Sequence, residues 1–144
     1  MSFAFYSDQN LTNMLNTTDK PLTVTMNVSG GGATVDLIVY FGSPDNTKKA
    51  VPASDPEITV DIIDTDTNNT HTLDPNNGPW YVLGLSPGDL DTNTKNTSLS
   101  LGTQVLGGVA NAVPIYIRIF EPEQNPALWE DLQLKTNVIR VDVA

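Results

Sequence analysis

Two acidic segments of the chain carry oxygen-bearing side chains at alternate positions, as the start of a calcium-binding loop does. The pattern Asp-x-Asp-x-Asn occurs twice, and oxygens spaced in this way can converge on one hard cation. The six candidate ligands are Asp64, Asp66, Asn68, Asp89, Asp91 and Asn93. The glycine and glutamate that complete such a loop are replaced by Asn69 and Pro75 in the first segment and by Thr94 and Ser100 in the second. The sequence therefore favours turn-closing roles for these side chains over a metal site.

Residues for catalysis are sparse. His71 is the single histidine and cysteine is absent, so thiolate nucleophiles and thiolate zinc sites are excluded. A Ser-His-Asp triad would need this histidine, which lies in a threonine-rich stretch, and the chain has no nucleophile-elbow motif. The triplet at 30–32 is all glycine, but it lacks a phosphate-binding lysine and indicates a hairpin turn. We therefore expect no enzymatic activity and no cofactor.

A stripe of large side chains on one predicted strand is a better functional clue. It consists of Tyr116, Arg118 and Phe120. The stripe lies on the face opposite Ile115, Ile117 and Ile119, because successive strand side chains point to opposite sides of a sheet. Aromatic residues and arginine are enriched at the centres of protein interfaces, so the stripe is a candidate interaction site. The alternative is that the segment 122–132 of the same chain covers it.

The alternation of apolar and polar residues that positions this stripe recurs along the chain and indicates half-buried strands separated by Gly, Pro and Asn turns. The predicted strands cover residues 22–28, 35–41, 58–62, 80–85, 99–101, 115–119 and 139–143, with a further short strand at 70–73. Strand 35–41 is expected to be central and covered on both faces, since Ile38 and Tyr40 are apolar too. The pattern predicts an all-β fold, a single antiparallel β-sandwich, immunoglobulin-like or jelly-roll-like, of seven to eight short strands. Helix is expected at 126–132 alone.

The first 20 residues depart from this alternation. They hold Phe3, Phe5 and Tyr6 in a polar setting without strict periodicity. Segment 1–20 is therefore either a first strand or an N-terminal arm that docks on a partner, and residues 21–144 form the sandwich domain. In the docking alternative these three residues, with Trp129 of the last loop, join the interface candidates.

Charge and length exclude several classes of partner. The chain has 144 residues, which suits one domain, and a net charge of −10. Eight acidic residues and one basic residue fall within 51–100, so that third carries −7 of the total. Nucleic acid is not expected as a partner, because phosphate binding needs clustered Lys and Arg. The longest apolar run, Leu37–Phe41, is too short to span a membrane, and we expect neither membrane association nor a signal peptide.

Several short motifs resemble those of small virion proteins of tailed bacteriophages. Residues 5–12 read Phe-Tyr-Ser-Asp-Gln-Asn-Leu-Thr, and these proteins often begin with an aromatic residue, Tyr, a small residue, Asp and then Leu-Thr. The other matching segments are Val39–Pro44, Ala53–Pro56, Leu99–Thr103 and Gly108–Val113. All of them are turn and strand motifs, and none is catalytic.

The resemblance implies a structural β-sandwich protein of a phage particle with no active site. The leading interpretation is a capsid decoration (cement) protein that binds and stabilises the outer shell. It implies the major capsid protein or other virion proteins as partners, and a homo-oligomer, with a trimer among the options. The expected location is the head surface of the virion, after synthesis in the host cytoplasm. The alternatives are a tail or baseplate module, and a carbohydrate-binding module with exposed Trp80 or Trp129.

Overall fold

A computed structural model of the chain describes residues 3–15, 32–64, 73–76, 78–122 and 132–144. Strands dominate these residues, with one short helix and one 3₁₀ turn. In chain order the elements are β1 (Ala4–Tyr6), β2 (Ala33–Gly42), β3 (Lys48–Pro52), β4 (Ile58–Asp64), β5 (Trp80–Gly84), α1 (Asp89–Thr92), β6 (Leu99–Gly102), β7 (Val105–Leu106), the 3₁₀ turn (Val109–Asn111), β8 (Val113–Glu121), β9 (Leu132–Thr136) and β10 (Ile139–Val143).

The strands form three antiparallel sheets. Sheet A has the order β1-β2-β8-β5, sheet B has the order β10-β3-β7, and sheet C has the order β6-β4-β9. The longest pairing joins β2 to β8 in register from Ala33 opposite Glu121 to Phe41 opposite Val113. The predicted all-β class is confirmed, and β2 is a central strand as expected.

One hydrophobic core draws side chains from all three sheets. Its buried members are Phe3, Phe5, Val39, Phe41, Ala50, Ile58, Val60, Ile62, Tyr81, Leu83, Val105, Ile115, Ile117, Ile119 and Leu134. Strand β8 shows why the sequence folds this way, because Ile115, Ile117 and Ile119 alternate with polar or aromatic residues and all three are buried. The two-residue period therefore directs the three isoleucines inward, and the face predicted for them is confirmed.

The amino-terminal segment belongs to this core. Phe5 pairs with Phe41 across β1 and β2, and their rings lie 5.2 Å apart. Phe3, Phe5 and Tyr6 are buried, at 8, 6 and 2 % exposure. The structure thus shows the first-strand alternative, and it corrects the expectation that these aromatic side chains are exposed for docking. The physical reason is that burial of an aromatic ring in an apolar core is more favourable in free energy than exposure of the ring to solvent.

A short loop after β1 returns the chain to this strand, where the Leu15 N–H donates to the Phe5 carbonyl at 2.7 Å. The Asp8 carboxylate accepts hydrogen bonds from the backbone N–H groups of Thr12 and Asn13, at 3.0 and 2.8 Å. Met14 then forms an isolated bridge with Tyr6. These hydrogen bonds lower the pKa of Asp8, the bond from the Thr12 hydroxyl being the largest cause.

Other predictions from the sequence have mixed outcomes. The strands predicted at 58–62, 80–85, 99–101 and 139–143 correspond to β4, β5, β6 and β10. The described residues contain ten strands, more than the predicted seven to eight. Strand β1 is the first-strand alternative of segment 1–20, β3 and β7 carry little alternation of their own, and β9 begins where the predicted helix was expected to end. The predicted strand 22–28 lies outside the described residues, as do most of the short strand 70–73 and of the helix 126–132.

Two local expectations are corrected. Leu132, placed at the end of the predicted helix, begins β9 instead. Ile38 on β2 is 40 % exposed, so the described residues do not cover both faces of this strand.

Candidate interaction surface

The outer face of sheet A carries a patch of large side chains around strand β8. We name this the outer patch and define it by the residues Asp36, Ile38, Trp80, Tyr116, Arg118 and Phe120. Register places Asp36 opposite Arg118 and Ile38 opposite Tyr116, so strands β2 and β8 share the patch. Strand β5 adds Trp80, which lies opposite Phe120.

Arg118 is the centre of the outer patch and is held by three partners. Its Nε and Nη2 atoms donate to the two carboxylate oxygens of Asp36, at 2.8 and 3.0 Å. Its Nη1 atom donates to the carboxylate of Asp91 at 2.8 Å and to the carbonyl oxygen of Leu90 at 3.2 Å. The planar guanidinium fits this arrangement because its donors lie in a fixed fork that matches a carboxylate.

This arrangement connects β2, β8 and α1. The hydrogen bond from Arg118 lowers the pKa of Asp36, and it outweighs the opposing effect of partial burial. The Arg118 side chain keeps 24 % exposure, so a held but accessible cation sits in the middle of the patch.

Aromatic rings flank the arginine at one end of the patch. Trp80 and Phe120 stack with centroids 5.3 Å apart and planes inclined by 17°. The ammonium group of Lys95 lies 4.4 Å from the centre of the Trp80 ring, which is a favourable cation–π position. These two contacts hold the Trp80 ring in place within the patch.

Helix α1 packs on the outer face of sheet A next to the patch. Leu90 and Val82 are both buried, at 5 and 3 % exposure. The approach is close at Gly84, where an added Cβ would lie 2.5 Å from the Cβ of Asp89, so this strand position must lack a side chain. The segment that partly covers the patch in the described residues is therefore α1; residues 123–131 of the segment 122–132 lie outside them.

The second Asp-x-Asp-x-Asn segment is used for internal contacts. Asp89 accepts a hydrogen bond from the Leu85 backbone N–H at 3.1 Å, and the amide of Asn93 donates to the Leu83 carbonyl at 2.8 Å. Asp91 pairs with Arg118. These three calcium candidates thus stabilise a helix and its contact with the sheet, and they diverge to separate partners.

Several candidate residues lie outside the part of the chain that can be described. They are Asp66, Asn68, His71 and Trp129, together with the side chain of Asp64. Among the described residues there is no group of three or more His, Cys, Asp or Glu side chains that could hold a metal ion.

One partly buried polar pair links sheets A and C. The hydroxyl of Tyr81 on β5 donates a hydrogen bond to the carboxylate of Asp61 on β4. Burial raises the pKa of Tyr81, and the bond to Asp61 raises it further. The pair therefore keeps a neutral phenol at ordinary pH and links two sheets.

The sequence pattern predicts the three β8 residues of the outer patch but not their partners. Asp36, Ile38, Trp80 and Lys95 join them through strand register and a turn. The available signal was the alternation of β2, which places Asp36 and Ile38 on the same face as each other.

No protein family, curated protein or solved structure matches this chain. In the described ranges, no helix is long and apolar enough to cross a membrane.

Proposed function

We propose that this protein is a structural component of a tailed-bacteriophage particle, a capsid decoration protein that binds the outer shell and stabilises it. Its partners are the major capsid protein or other virion proteins, and its location is the head surface. In this proposal the protein acts by shape and surface and has no catalytic role. The likeness of its turn and strand motifs to small phage virion proteins supports the identity of the particle.

The observation that carries the proposal is the fixed outer patch. Arg118 is held by Asp36 and Asp91, and Phe120 is stacked on Trp80. Side chains that are already ordered lose little conformational freedom when a partner docks on them, so binding is stronger for the same contact area. Ile38 adds exposed apolar surface beside Tyr116, as the centre of an interface requires.

The proposed architecture is a β-sandwich in which sheet A forms one layer and sheets B and C together form the other. The shared core supports this arrangement, because Ile117 of sheet A, Ala50 of sheet B and Val60 of sheet C belong to one buried cluster. A sandwich with both inner faces buried is a rigid support for a docking patch on its outer face.

The net charge of −10 favours an exposed position over contact with packaged genome. Phosphate-rich nucleic acid would repel such a chain, whereas the solvent-facing side of a shell tolerates it. This supports the outer surface of the head as the proposed location.

The test is to purify particles of the phage that encodes the chain and to search them for the protein by mass spectrometry. Antibody labelling in the electron microscope then locates it. The proposal predicts a multi-copy component on the head. Labelling on the tail or baseplate would support the tail alternative and contradict the decoration role, and absence from purified particles would contradict the virion proposal as a whole.

A further inference from the structure

Strand β10 forms an outer edge of sheet B. It pairs with β3 on one side, from Ile139 opposite Pro52 to Val143 opposite Lys48. In the described part of the chain, no strand pairs with its other side. An open strand edge presents a row of backbone donors and acceptors that can pair with another strand.

The hydrogen-bond pattern shows which residues face this open side. The Val138 carbonyl accepts from the Ala53 N–H at 3.0 Å, and the Ala144 N–H donates to the Thr47 carbonyl at 2.8 Å, so the even-numbered residues face β3. Backbone groups alternate in direction along a strand. The residues that direct their N–H and C=O groups outward are therefore Ile139, Val141 and Val143, and none of the described residues bonds to them.

The outer edge of sheet A, strand β5, differs from β10 because its outward backbone groups have hydrogen-bond partners. There Asn96 accepts from the Tyr81 N–H through its side chain and donates to the Tyr81 carbonyl through its backbone, at 3.0 and 2.8 Å. Asn93 donates to the Leu83 carbonyl at 2.8 Å. Two asparagines thus occupy the hydrogen-bonding groups of that edge, and β10 has no equivalent among the described residues.

The side chains of β10 are also open and lack the usual protection of an edge. Val141 and Val143 are 42 and 72 % exposed, and the strand contains no proline. The other face carries Arg140 and Asp142, whose side chains hydrogen bond to each other at 2.8 and 3.0 Å. Charges of one sign would repel a second copy, but this pair has both signs.

We propose that two copies of the chain associate through β10, antiparallel about a two-fold axis at Val141, so that the two sheets B form one continuous six-stranded sheet. The sequence Ile-Arg-Val-Asp-Val is self-complementary in this register. Arg140 lies opposite Asp142 of the second copy, Ile139 lies opposite Val143, and Val141 lies opposite itself. All outward backbone groups of the three odd-numbered residues then pair, which gives Val141 the hydrogen-bonded position on the axis.

A second copy fits this edge better than a different strand because both charges find their opposites. Arg140 and Asp142 occupy the non-hydrogen-bonded positions of the proposed pairing, where side chains on opposing strands approach most closely. A two-fold axis also closes the assembly, since each copy uses the same edge. A trimer would need β10 to pair with a different edge and would lose this match.

The first test uses the natural absence of cysteine to trap the dimer. With Val141→Cys, the two sulfurs meet on the axis at a Cα separation of about 5.5 Å, which suits a disulfide. We expect a mild oxidant to convert this variant to a disulfide-linked dimer. Val138→Cys is the matched control, because Val138 is more exposed than Val141 yet lies roughly 20 Å from its symmetry mate, six residues along the strands. It should form no disulfide-linked dimer in the same oxidant.

The second test exchanges the charges and measures dimerisation by analytical ultracentrifugation. Arg140→Asp places like charges opposite each other and should weaken dimerisation roughly fivefold or more. The double variant R140D/D142R should restore it, and a cooperative thermal unfolding transition will show that each variant folds. Equal disulfide yields from the two cysteine variants, failure of the double variant to restore association, or a wild-type monomer at every soluble concentration would each overturn the proposal.

Discussion

Strand β8 has two faces of opposite character, and the difference between them organises the molecule. Its inner face buries Ile115, Ile117 and Ile119 in the core shared by three sheets. Its outer face presents Arg118 and Phe120, which are half-buried and held by ion pairs and ring stacking. The inner face stabilises the fold because its apolar side chains are removed from water. The outer face presents ordered, accessible polar and aromatic groups, and these contribute less to stability.

The comparison also shows how one strand can serve both purposes. The inner side chains need only be apolar and of the right volume, because burial is non-directional. The outer side chains depend on specific partners, since Arg118 needs Asp36 and Asp91 in defined positions. Changes on the inner face should therefore unfold the protein, and changes on the outer face should leave it folded.

The largest effect is expected for Ile117→Asp, which places an unpaired charge at a site with 0 % exposure. We expect loss of the folded state, because the cost of about 4 kcal/mol or more approaches the total stability of a small domain. The measurement is thermal unfolding followed by circular dichroism. Ile38→Asp makes the same chemical change on the exposed outer face and should melt near the wild-type temperature; similar melts for the two variants would mean that the face assignment is inverted.

The next largest loss of stability is expected when a side chain of the amino-terminal strand is shortened. Phe5→Ala removes a ring that packs on Phe41 and leaves a cavity, which should lower the free energy of unfolding by about 3–5 kcal/mol. Phe120→Ala on the outer face is the matched control and should cost less, since that ring is partly exposed. Urea denaturation measures both, and an unchanged midpoint for Phe5→Ala would restore the docking-arm interpretation of segment 1–20.

A smaller loss of stability is expected when the hydroxyl group of a buried tyrosine is removed, and it should differ between Tyr81 and Tyr6. Tyr81→Phe breaks the bond to the Asp61 carboxylate and should cost about 2 kcal/mol. Tyr6→Phe should cost nothing or stabilise the fold, because the Tyr6 hydroxyl is buried and finds no hydrogen-bond partner among the described residues. Equal losses of stability from the two substitutions would contradict the distinction.

The Tyr81 pair also predicts a dependence on alkaline pH. The folded state raises the pKa of Tyr81 above its ordinary value near 10, so its contribution to stability is complete below about pH 10 and is lost as the pH rises through the folded-state pKa. Wild-type protein should therefore lose stability more steeply above pH 10 than Tyr81→Phe does. Parallel pH profiles for the two proteins would count against the pair.

The smallest change in stability is expected on the outer face. Arg118→Met keeps much of the side-chain volume but removes the ion pairs with Asp36 and Asp91, which are partly exposed and screened by solvent. We expect a decrease in melting temperature smaller than that for Tyr81→Phe. The folded state lowers the pKa of Asp36, so this difference should be present above about pH 4 and disappear as the pH falls through the folded-state pKa. If the difference in melting temperature stayed constant between pH 2 and 7, it would come from lost packing and not from the ion pairs.

The sequence was informative where structure follows from local alternation. Strand β8 and the inward direction of Ile117 are legible from a two-residue period, because each side chain's face is fixed by its neighbours along the chain. The all-β class follows from the same signal. Strand β7, with its two residues, and β3, with Ala50 as its one buried side chain, carry too little of that signal to be recognised.

The candidate site was less predictable because its contacts are long-range. Arg118 and Asp36 are 82 residues apart and meet through strand register, which no local pattern specifies. Asp91 illustrates the same limit, since its spacing from Asp89 and Asn93 favoured a turn-closing role, whereas its side chain pairs with an arginine 27 residues away. The aromatic residues of the amino-terminal segment lacked periodicity because β1 is three residues long, Phe3 precedes it, and the loop after it follows no regular repeat.

The most direct test of the two-face account is the binding of purified variants to phage particles that lack the protein. Ile38→Asp alters the outer patch, and Leu106→Asp alters an equally exposed residue on sheet B, at 40 and 42 % exposure. We expect Ile38→Asp to remain folded and to bind particles at least about tenfold more weakly than wild type, which corresponds to the loss of an interface contact of about 1.4 kcal/mol. Leu106→Asp should bind normally. Unchanged binding of a folded Ile38→Asp protein would contradict the claim that the outer face of sheet A is the docking surface.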